Sequence, residues 1–364
     1  MSDDRDSFFM RKALRLAERG RGLTSPNPMV GAVVVDDEGV IAGRGAHQTA
    51  GGPHAEVHAL RDAGERARGA TLYCTLEPCT HWGRTGPCAP LVAEAGISRV
   101  VIATEDPNPA ASGGRTYLQG QGIQVRTGVL ETEARRLNDP FFSLVTRRRP
   151  FVTMKVAMSL DGRIAARPDT RTLLTGAAAN RLIHRDRAEV DAIAVGSGTA
   201  IADDPLLTPR VAFRARPLVR VVYDRRLRLP PWSRLLSTLD TGPVIIVTTD
   251  HDLERASVQA AALRSAGAEI LAFDATAGLR ASLEALAVRG IGSLVVEGGV
   301  ELHRVFWDAR LVDRVQMYIA GCVIGDGGVD WLVDPVMSAP RVHARTGRPV
   351  GSDALLEAYV HGAD

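Results

Sequence analysis

Aromatic side chains make up only 5% of the 364 residues, and cysteine appears four times. No apolar run approaches the ~18 residues that a membrane span needs. Few aromatics leave little to stack on bases. A formal charge of +2, with arginine spread along the chain, leaves no footprint for nucleic acid. Four cysteines in so long a chain argue against a disulfide framework and for a reducing compartment and metal chemistry. The start, Met1-Ser2-Asp3-Asp4-Arg5-Asp6, is acidic where a signal peptide is basic and apolar, so the cytoplasm is the expected location. Internal repeats and low-complexity segments are also missing. What remains is a globular composition, 45% hydrophobic and 24% charged, at a length that suggests two domains.

Apolar positions Phe9, Ala13, Leu16 and Ala17 predict a helix over 7–19 that stops at Gly20. Val30–Val35 and Val40–Gly45 read as strands joined by the turn Asp36-Asp37-Glu38-Gly39. Pro53 is placed to open a helix reaching Arg66, a second helix is expected near Pro78, and 70–76 and 99–103 read as strands. A hairpin followed by alternating helices and strands implies an α/β/α layer. Ser143–Pro150, carrying Arg147-Arg148-Arg149, marks the expected boundary between domains 1–146 and 150–364. Beyond it, strands at 151–157, 191–195, 218–223, 244–248 and 294–296 give a second α/β domain.

The chemistry concentrates in His54-Ala55-Glu56, Glu77-Pro78-Cys79 and Cys88. One imidazole and two thiolates offer Zn²⁺ three ligands and leave a fourth position open for water, the arrangement of a catalytic rather than a structural site. Glu56 supplies the carboxylate that carries protons for such a water. The ordered pattern His-x-Glu…Pro-Cys…Cys is the signature of zinc deaminases that act on nucleobases, although the two cysteines here lie farther apart than usual. Taken singly, a His after proline is ordinarily a helix cap and a Cys a small buried hydrophobe. The joint order is what carries the catalytic reading. His54 and Cys79 are expected in first helical turns, where the dipole favours a thiolate. His58, at i+4 from His54, lacks the adjacent Glu of a zinc-protease helix and reads as packing. Cys74 reads as strand core and Cys322 as structural.

The chain resembles the bifunctional deaminase/reductase family of riboflavin biosynthesis along nearly its whole length. The resemblance rests on Pro26-Asn27-Pro28-Met29-Val30-Gly31, His47-Gln48, Pro53 to Leu60, Thr75 to Cys88 with its Gly83-Arg84-Thr85 insert, and Asp106-Pro107-Asn108-Pro109. In the second half it rests on Lys155, Ser159-Leu160-Asp161-Gly162-Arg163, Val195 to Thr199, Ala202 to Thr208 and Glu297-Gly298-Gly299. It implies an α/β chain with a cytidine-deaminase-like domain followed by a dihydrofolate-reductase-like domain, with Zn²⁺ and NADPH as cofactors. The implied substrate is a small phosphorylated diaminopyrimidinone, with no nucleic-acid or membrane partner, and the implied assembly is a homo-oligomer. It further implies that Asn27 and His47 hold the ring or ribose and that Arg84 meets the phosphate, a role suited to a guanidinium fork in a Gly-rich loop.

For the reductase, the resemblance implies substrate contacts at Lys155, Arg187, Leu207, Arg210 and Glu297, with Arg187 and Arg210 as phosphate clamps. It implies cofactor contacts at Ala157, Leu173, Thr199, Asp203, Arg225 and Gly299. Two Gly-rich turns, Gly196-Ser197-Gly198-Thr199 and Gly298-Gly299, follow strands and suit backbone contact with phosphates, though neither is a full dinucleotide fingerprint. Asp161 equally reads as a turn residue. In place of the family's Gly/Ser-rich stretch ending in Gln-Trp-Ile, this chain has residues 169–175, with Leu173 where the family has the aromatic and Arg171 or a neighbour where it has a small substrate-contacting Ser, a change compatible with an altered reductase. A deaminase acting on tRNA or a nucleoside leaves the second half unexplained. A non-catalytic nucleotide sensor conflicts with the intact His54, Glu56, Cys79 and Cys88 set in the first half, and less so with the second half, where the 169–175 stretch is altered.

Overall fold

The computed structural model describes residues 2–83, 85–168, 170, 172–210, 214–332 and 342–360. The chain forms two compact units, divided between Arg148 and Arg149.

In the first unit, β1 (Gly31–Val35) pairs antiparallel with β2 (Ile41–Ala46) and with β3 (Thr71–Leu76), while β4 (Arg99–Thr104) and β5 (Gln124–Arg126) continue in parallel. The sheet order is β2-β1-β3-β4-β5. Alternate strand residues point to opposite faces. Val33, Val35, Tyr73 and Val101 therefore pack on Phe9, Met10 and Ala13 of helix α1 (Ser2–Ala17). Ala32, Val34, Leu72 and Cys74 pack on Ala55, Ala59 and Ala63 of α2 (Ala55–Ala63) and on Ala89 and Val92 of α3 (Cys88–Glu94). Helices α4 (Gly114–Gly120), α5 (Glu131–Leu137) and α6 (Asp139–Phe142) complete an α/β/α sandwich.

Gly45 explains how close α2 lies to the sheet: a Cβ there would sit 1.9 Å from the Ala55 carbonyl oxygen. Two expectations need correction. The helix expected from Pro53 to Arg66 begins at Ala55 and ends at Ala63, followed by a 3₁₀ turn over Gly64–Ala67. The helix expected near Pro78 does not form there; the chain around it is loop, and the helix begins at Cys88.

The second unit is built on a nine-stranded sheet of order β11-β10-β9-β8-β12-β6-β13-β16-β15. Its parallel body comprises β6 (Phe151–Met158), β8 (Ala192–Gly196), β9 (Val219–Tyr223), β10 (Val244–Thr249), β11 (Glu269–Phe273), β12 (Ser293–Gly298) and β13 (Arg314–Ile319). β16 (Asp353–Tyr359) and β15 (His343–Val350) close one edge in antiparallel fashion. A short ribbon joins β7 (Arg163–Ala165) to β14 (Val329–Asp330). Helices α7 (Ala177–Glu189), α8 (Ser197–Asp203), α9 (Asp250–Arg255), α10 (Ser257–Ser265), α11 (Leu279–Val288) and α12 (Val300–Asp308) flank the sheet.

Strands buried on both faces read as continuous apolar runs, which is why Ala192-Ile193-Ala194-Val195 and Val244-Ile245-Ile246-Val247 were legible. β11, β13, β15 and β16 were not expected. Both Gly-rich turns lead from a strand into a helix, β8 into α8 and β12 into α12, on neighbouring strands. Among the described residues no helix is long and apolar enough to cross a membrane. Cys74 is buried in the core of the first unit, whereas Cys322, expected to be structural, is exposed.

Candidate active sites

His54 is the N-cap of α2, held extended (φ −72°, ψ 164°), and Glu56 is buried in the first turn. Cys79 lies in the loop after β3, and Cys88 is the first residue of α3, preceded by Pro87 at the cap. The expectation of His54 and Cys79 within first helical turns is therefore corrected: it is Cys88 that sits there. The reason is that Glu77 and Pro78 are committed to a neighbouring loop. Glu77 accepts backbone N–H groups of Asp106, Gly113 and Arg115, and Thr80 bonds the carbonyls of Ala111 and Ser112. Gly114 presses on Pro78, since a Cβ there would come 1.8 Å from the Pro78 carbonyl oxygen.

The three ligand atoms, His54 Nδ1 and the sulfurs of Cys79 and Cys88, all lie within 4.8 Å of one another. His54 Nδ1 is 3.2 Å from Cys88 Sγ and 3.6 Å from Cys79 Sγ. Ligands of one tetrahedral Zn²⁺ stand roughly 3.5 Å apart, given bonds of about 2.0 Å to nitrogen and 2.3 Å to sulfur. The donor set fits the ion, and one Glu56 carboxylate oxygen is buried beside it without a hydrogen-bond partner. His54 Nε2 faces Thr85 Oγ1 at 3.3 Å, the kind of outer contact that orients a metal-binding imidazole.

Electrostatics agree with this arrangement. A hydrogen bond from Cys88, helped by His54, brings the Cys79 thiol down to about 4, while Cys79 and burial push Cys88 upward. Two sulfurs this close hold one negative charge between them until a cation joins them. Burial raises the Glu56 carboxyl to about 7.

Asn27 and His47 stand at the same site. The Pro53 carbonyl can only accept, so the proton of His47 lies on Nδ1, 3.1 Å from that oxygen, and Asn27 Nδ2 donates to Nε2 at 3.4 Å. The His47 ring meets the His54 ring edge-on at 5.6 Å. His58 is not in the ligand cluster. Arg84 lies outside the described residues. The sequence motifs assign no individual role to Glu77, Thr85 or Asp106, whose carboxyl burial raises to about 6; only their place within the quoted motifs signals them.

In the second unit a cavity of about 1270 Å³ opens over the C-terminal ends of the central parallel strands, where open α/β sheets bind ligands. Lys155, Ala157, Leu173, Arg187, Thr199, Asp203, Leu207, Arg210, Arg225, Glu297 and Gly299 all line it. Glu297 is held by Arg187 and faces Lys155 Nζ at 3.7 Å. Burial opposes its charge, but Arg187 and Lys155 prevail and hold its carboxyl at about 2. Arg187, expected as a phosphate clamp, has its Nε and Nη2 engaged by Glu297. Arg210 remains exposed beside His184. Leu207 adopts a left-handed φ of 53°, and Leu173 is 79% exposed. Asp161 is a turn acceptor, bonding the N–H groups of Ile324 and Gly325. Within the altered 169–175 stretch, Asp169 and Arg171 lie outside the described residues.

Residues 3–104 match the family described as the cytidine and deoxycytidylate deaminase zinc-binding region, and residues 150–356 match the RibD C-terminal domain. Fold, site and matches define a two-domain deaminase–reductase. The riboflavin biosynthesis protein RibD of Aquifex aeolicus is 42% identical over 88% of this chain and 88% of its own length; that of Bacillus amyloliquefaciens is 40% identical over 88% and 85%. The solved structure of Acinetobacter baumannii RibD, form 1, superposes with a TM-score of 0.87 at 34% identity, covering 99% of this chain and 100% of that one. A diaminohydroxyphosphoribosylaminopyrimidine deaminase/5-amino-6-(5-phosphoribosylamino)uracil reductase from Thermotoga maritima gives 0.85 at 34%, with the same coverage. The chain belongs to the RibD family of riboflavin biosynthesis proteins.

Proposed function

We propose that the unit covering residues 1–146 deaminates 2,5-diamino-6-(5-phosphoribosylamino)pyrimidin-4-one, and that residues 150–364 then reduce the product to 5-amino-6-(5-phosphoribitylamino)uracil. The observation that carries this reading is the His54, Cys79 and Cys88 cluster with Glu56 buried beside it, on a chain whose second unit opens a cavity around Lys155 and Glu297.

His54, Cys79 and Cys88 would hold Zn²⁺, which would supply the acidity that makes a water nucleophilic at neutral pH. Glu56 takes the proton of that water on its free oxygen and returns it to the 2-amino nitrogen, which leaves as ammonia while a carbonyl forms at the same carbon. Its burial keeps bulk water from competing for this proton. His47, with its proton fixed on Nδ1, presents a neutral ring with Asn27 to the pyrimidine or ribose, and Arg84 meets the phosphate.

NADPH supplies the hydride for the second step, which is delivered to C1′ of the sugar. The C1′–O4′ bond opens and O4′ takes a proton. Lys155, paired with Glu297 at 3.7 Å, presents its Nζ to the substrate side. Arg187 orients Glu297, and Leu207 and Arg210 face the substrate. Ala157, Leu173, Thr199, Asp203, Arg225 and Gly299 line the cofactor side. NADPH rather than NADH is favoured by the loop after β9. Asp224 is buried and accepts the Leu229 N–H, while Arg225, Arg226 and Arg228 project to the rim where an adenosine 2′-phosphate would lie. The same reading puts the enzyme in the cytoplasm as a homo-oligomer acting on a free nucleotide.

Incubating the full-length zinc-loaded protein with the diaminopyrimidinone nucleotide, with and without NADPH, tests this by mass analysis. The deaminated nucleotide alone is expected without NADPH and the ribityl product with it; an unchanged substrate in both reactions would overturn the reading.

A further inference from the structure

We infer that His303 and Trp331 are positioning residues for the reduction: the hydrogen bond between them ties the segment 322–331 to the first turn of α12 and fixes one wall of the cofactor cleft. The inference rests on the reading of the second unit as an NADPH-dependent reductase.

His303 is a polar residue on the buried stripe of α12, between Leu302 and Phe306, and is 3% exposed. Its two ring nitrogens have different partners. Trp331 Nε1 lies 3.0 Å from Nδ1, and the Val296 carbonyl oxygen lies 3.3 Å from Nε2. An indole N–H can only donate. Nδ1 must therefore accept, the ring proton must sit on Nε2, and that N–H donates to Val296. The imidazole is thereby held in one tautomer and neutral. Burial acts in the same direction.

Val296 immediately precedes Glu297, and His303 follows the Gly298-Gly299 turn by four residues. The ring thus braces the strand-to-helix turn from behind. On its other side it holds the segment containing Trp331. That segment has two further anchors. Asp161 accepts the N–H groups of Ile324 at 3.1 Å and Gly325 at 2.7 Å, and β14 pairs with β7, reinforced by the ion pair of Arg163 with Asp330. Val329 of this segment and His303 both line the cavity. Asp161 secures the start of the segment and the ribbon holds Val329 and Asp330 near its end; Trp331, the next residue, ties that end to the turn where cofactor phosphates would lie. Simple packing of two rings would need none of this directionality.

The test uses the full-length protein and four forms: wild type, H303L, H303Q and W331F. A glutamine amide can accept from the indole and donate to the Val296 carbonyl, so H303Q retains the tie; H303L and W331F lose it. H303L and W331F are expected to raise KM for NADPH about three- to tenfold, the range set by one neutral hydrogen bond. They should also speed amide hydrogen exchange over 322–331, with ammonia release by the first unit unchanged and H303Q close to wild type. Wild-type KM and exchange in both H303L and W331F would overturn the inference. So would an H303Q that behaves like H303L, because packing alone would then explain the pair. If the wild-type chain itself leaves NADPH unoxidised with the deaminated nucleotide, the reductase reading fails, while the exchange comparison still decides whether the tie exists.

Discussion

Arg187 grips Glu297 through two parallel hydrogen bonds, Nε to Oε1 at 2.7 Å and Nη2 to Oε2 at 2.6 Å. The pair is buried within the reductase cavity, so its members are not interchangeable with solvated charges. Removing one partner of a buried pair costs about 3–5 kcal/mol, because the other charge is stranded. R187M should therefore lower kcat/KM for NADPH oxidation by ~100-fold or more, and R187K should fall between, having charge without the fork. Steady-state kinetics with the deaminated nucleotide checks this; equal rates for R187M and wild type would contradict the role of the pair.

Glu56 is the carboxylate committed to proton transfer in the first reaction. E56Q should keep zinc at one ion per chain and lose about 10²- to 10⁴-fold in deamination. NADPH oxidation with supplied deaminated nucleotide should stay at the wild-type rate. Metal analysis and ammonia release decide between this and a role for Glu56 in holding the ion.

Gly114 has no room for a side chain against the Pro78 carbonyl oxygen. G114A should push Pro78, and with it Cys79, out of place. The expected result is weakened zinc retention during dialysis against a chelator, with the reductase unaffected. Full zinc retention would show that the ligand loop absorbs the displacement.

His303 has its pKa lowered, chiefly by burial, from 6.5 to about 4. The unfolded chain then binds a proton that the folded chain refuses between those values, so stability falls as pH drops from 6.5 toward 4. The effect is of order 3–4 kcal/mol across the window, at about 1.4 kcal/mol per pKa unit. Glu297, held at about 2, stays ionised throughout and offsets none of it. Denaturant midpoints of wild type and H303Q should diverge on acidification, with wild type losing more. Parallel curves from about pH 7 to about pH 4.5, the span that linkage makes sensitive, would count against the neutral imidazole.

Arg226 and Arg228 stand at the rim of the cavity beyond β9, with Arg228 donating to Ser197 Oγ at 2.8 Å. The double variant R226A/R228A should raise KM for NADPH about tenfold or more while leaving KM for NADH nearly unchanged, since a 2′-phosphate contact is charge-assisted. A parallel rise for both cofactors would place the phosphate elsewhere.

The zinc site was legible because its residue types and order are forced by coordination chemistry. The parallel strands were legible because burial on both faces leaves uninterrupted apolar runs. The helix expected near Pro78 failed for a reason that the local sequence does not contain. Glu77 spends its carboxylate on three N–H groups, those of Asp106, Gly113 and Arg115, in the loop leading into α4 and its first turn. This holds Pro78 and Cys79 out of a helix, and the helix waits for Pro87 as its cap. β15 was invisible because seven of its eight residues are exposed and show no alternation. The His303–Trp331 contact joins residues 28 positions apart that share no motif. The pairing of Arg187 with Glu297 was not legible because the two lie 110 residues apart.

β12 enters the sheet between β8 and β6, although both of those strands precede it in the chain by about a hundred residues or more, a long-range topology of the kind that folds slowly. Until the strand bearing Glu297 and Gly298 has left the ribosome, β8 keeps one edge unpaired and β6 has no partner in the sheet, because its other neighbour, β13, comes later still. The nucleotide cleft is completed by that one keystone, and anything that delays its arrival leaves the edge of β8 and both edges of β6 exposed in the nascent protein.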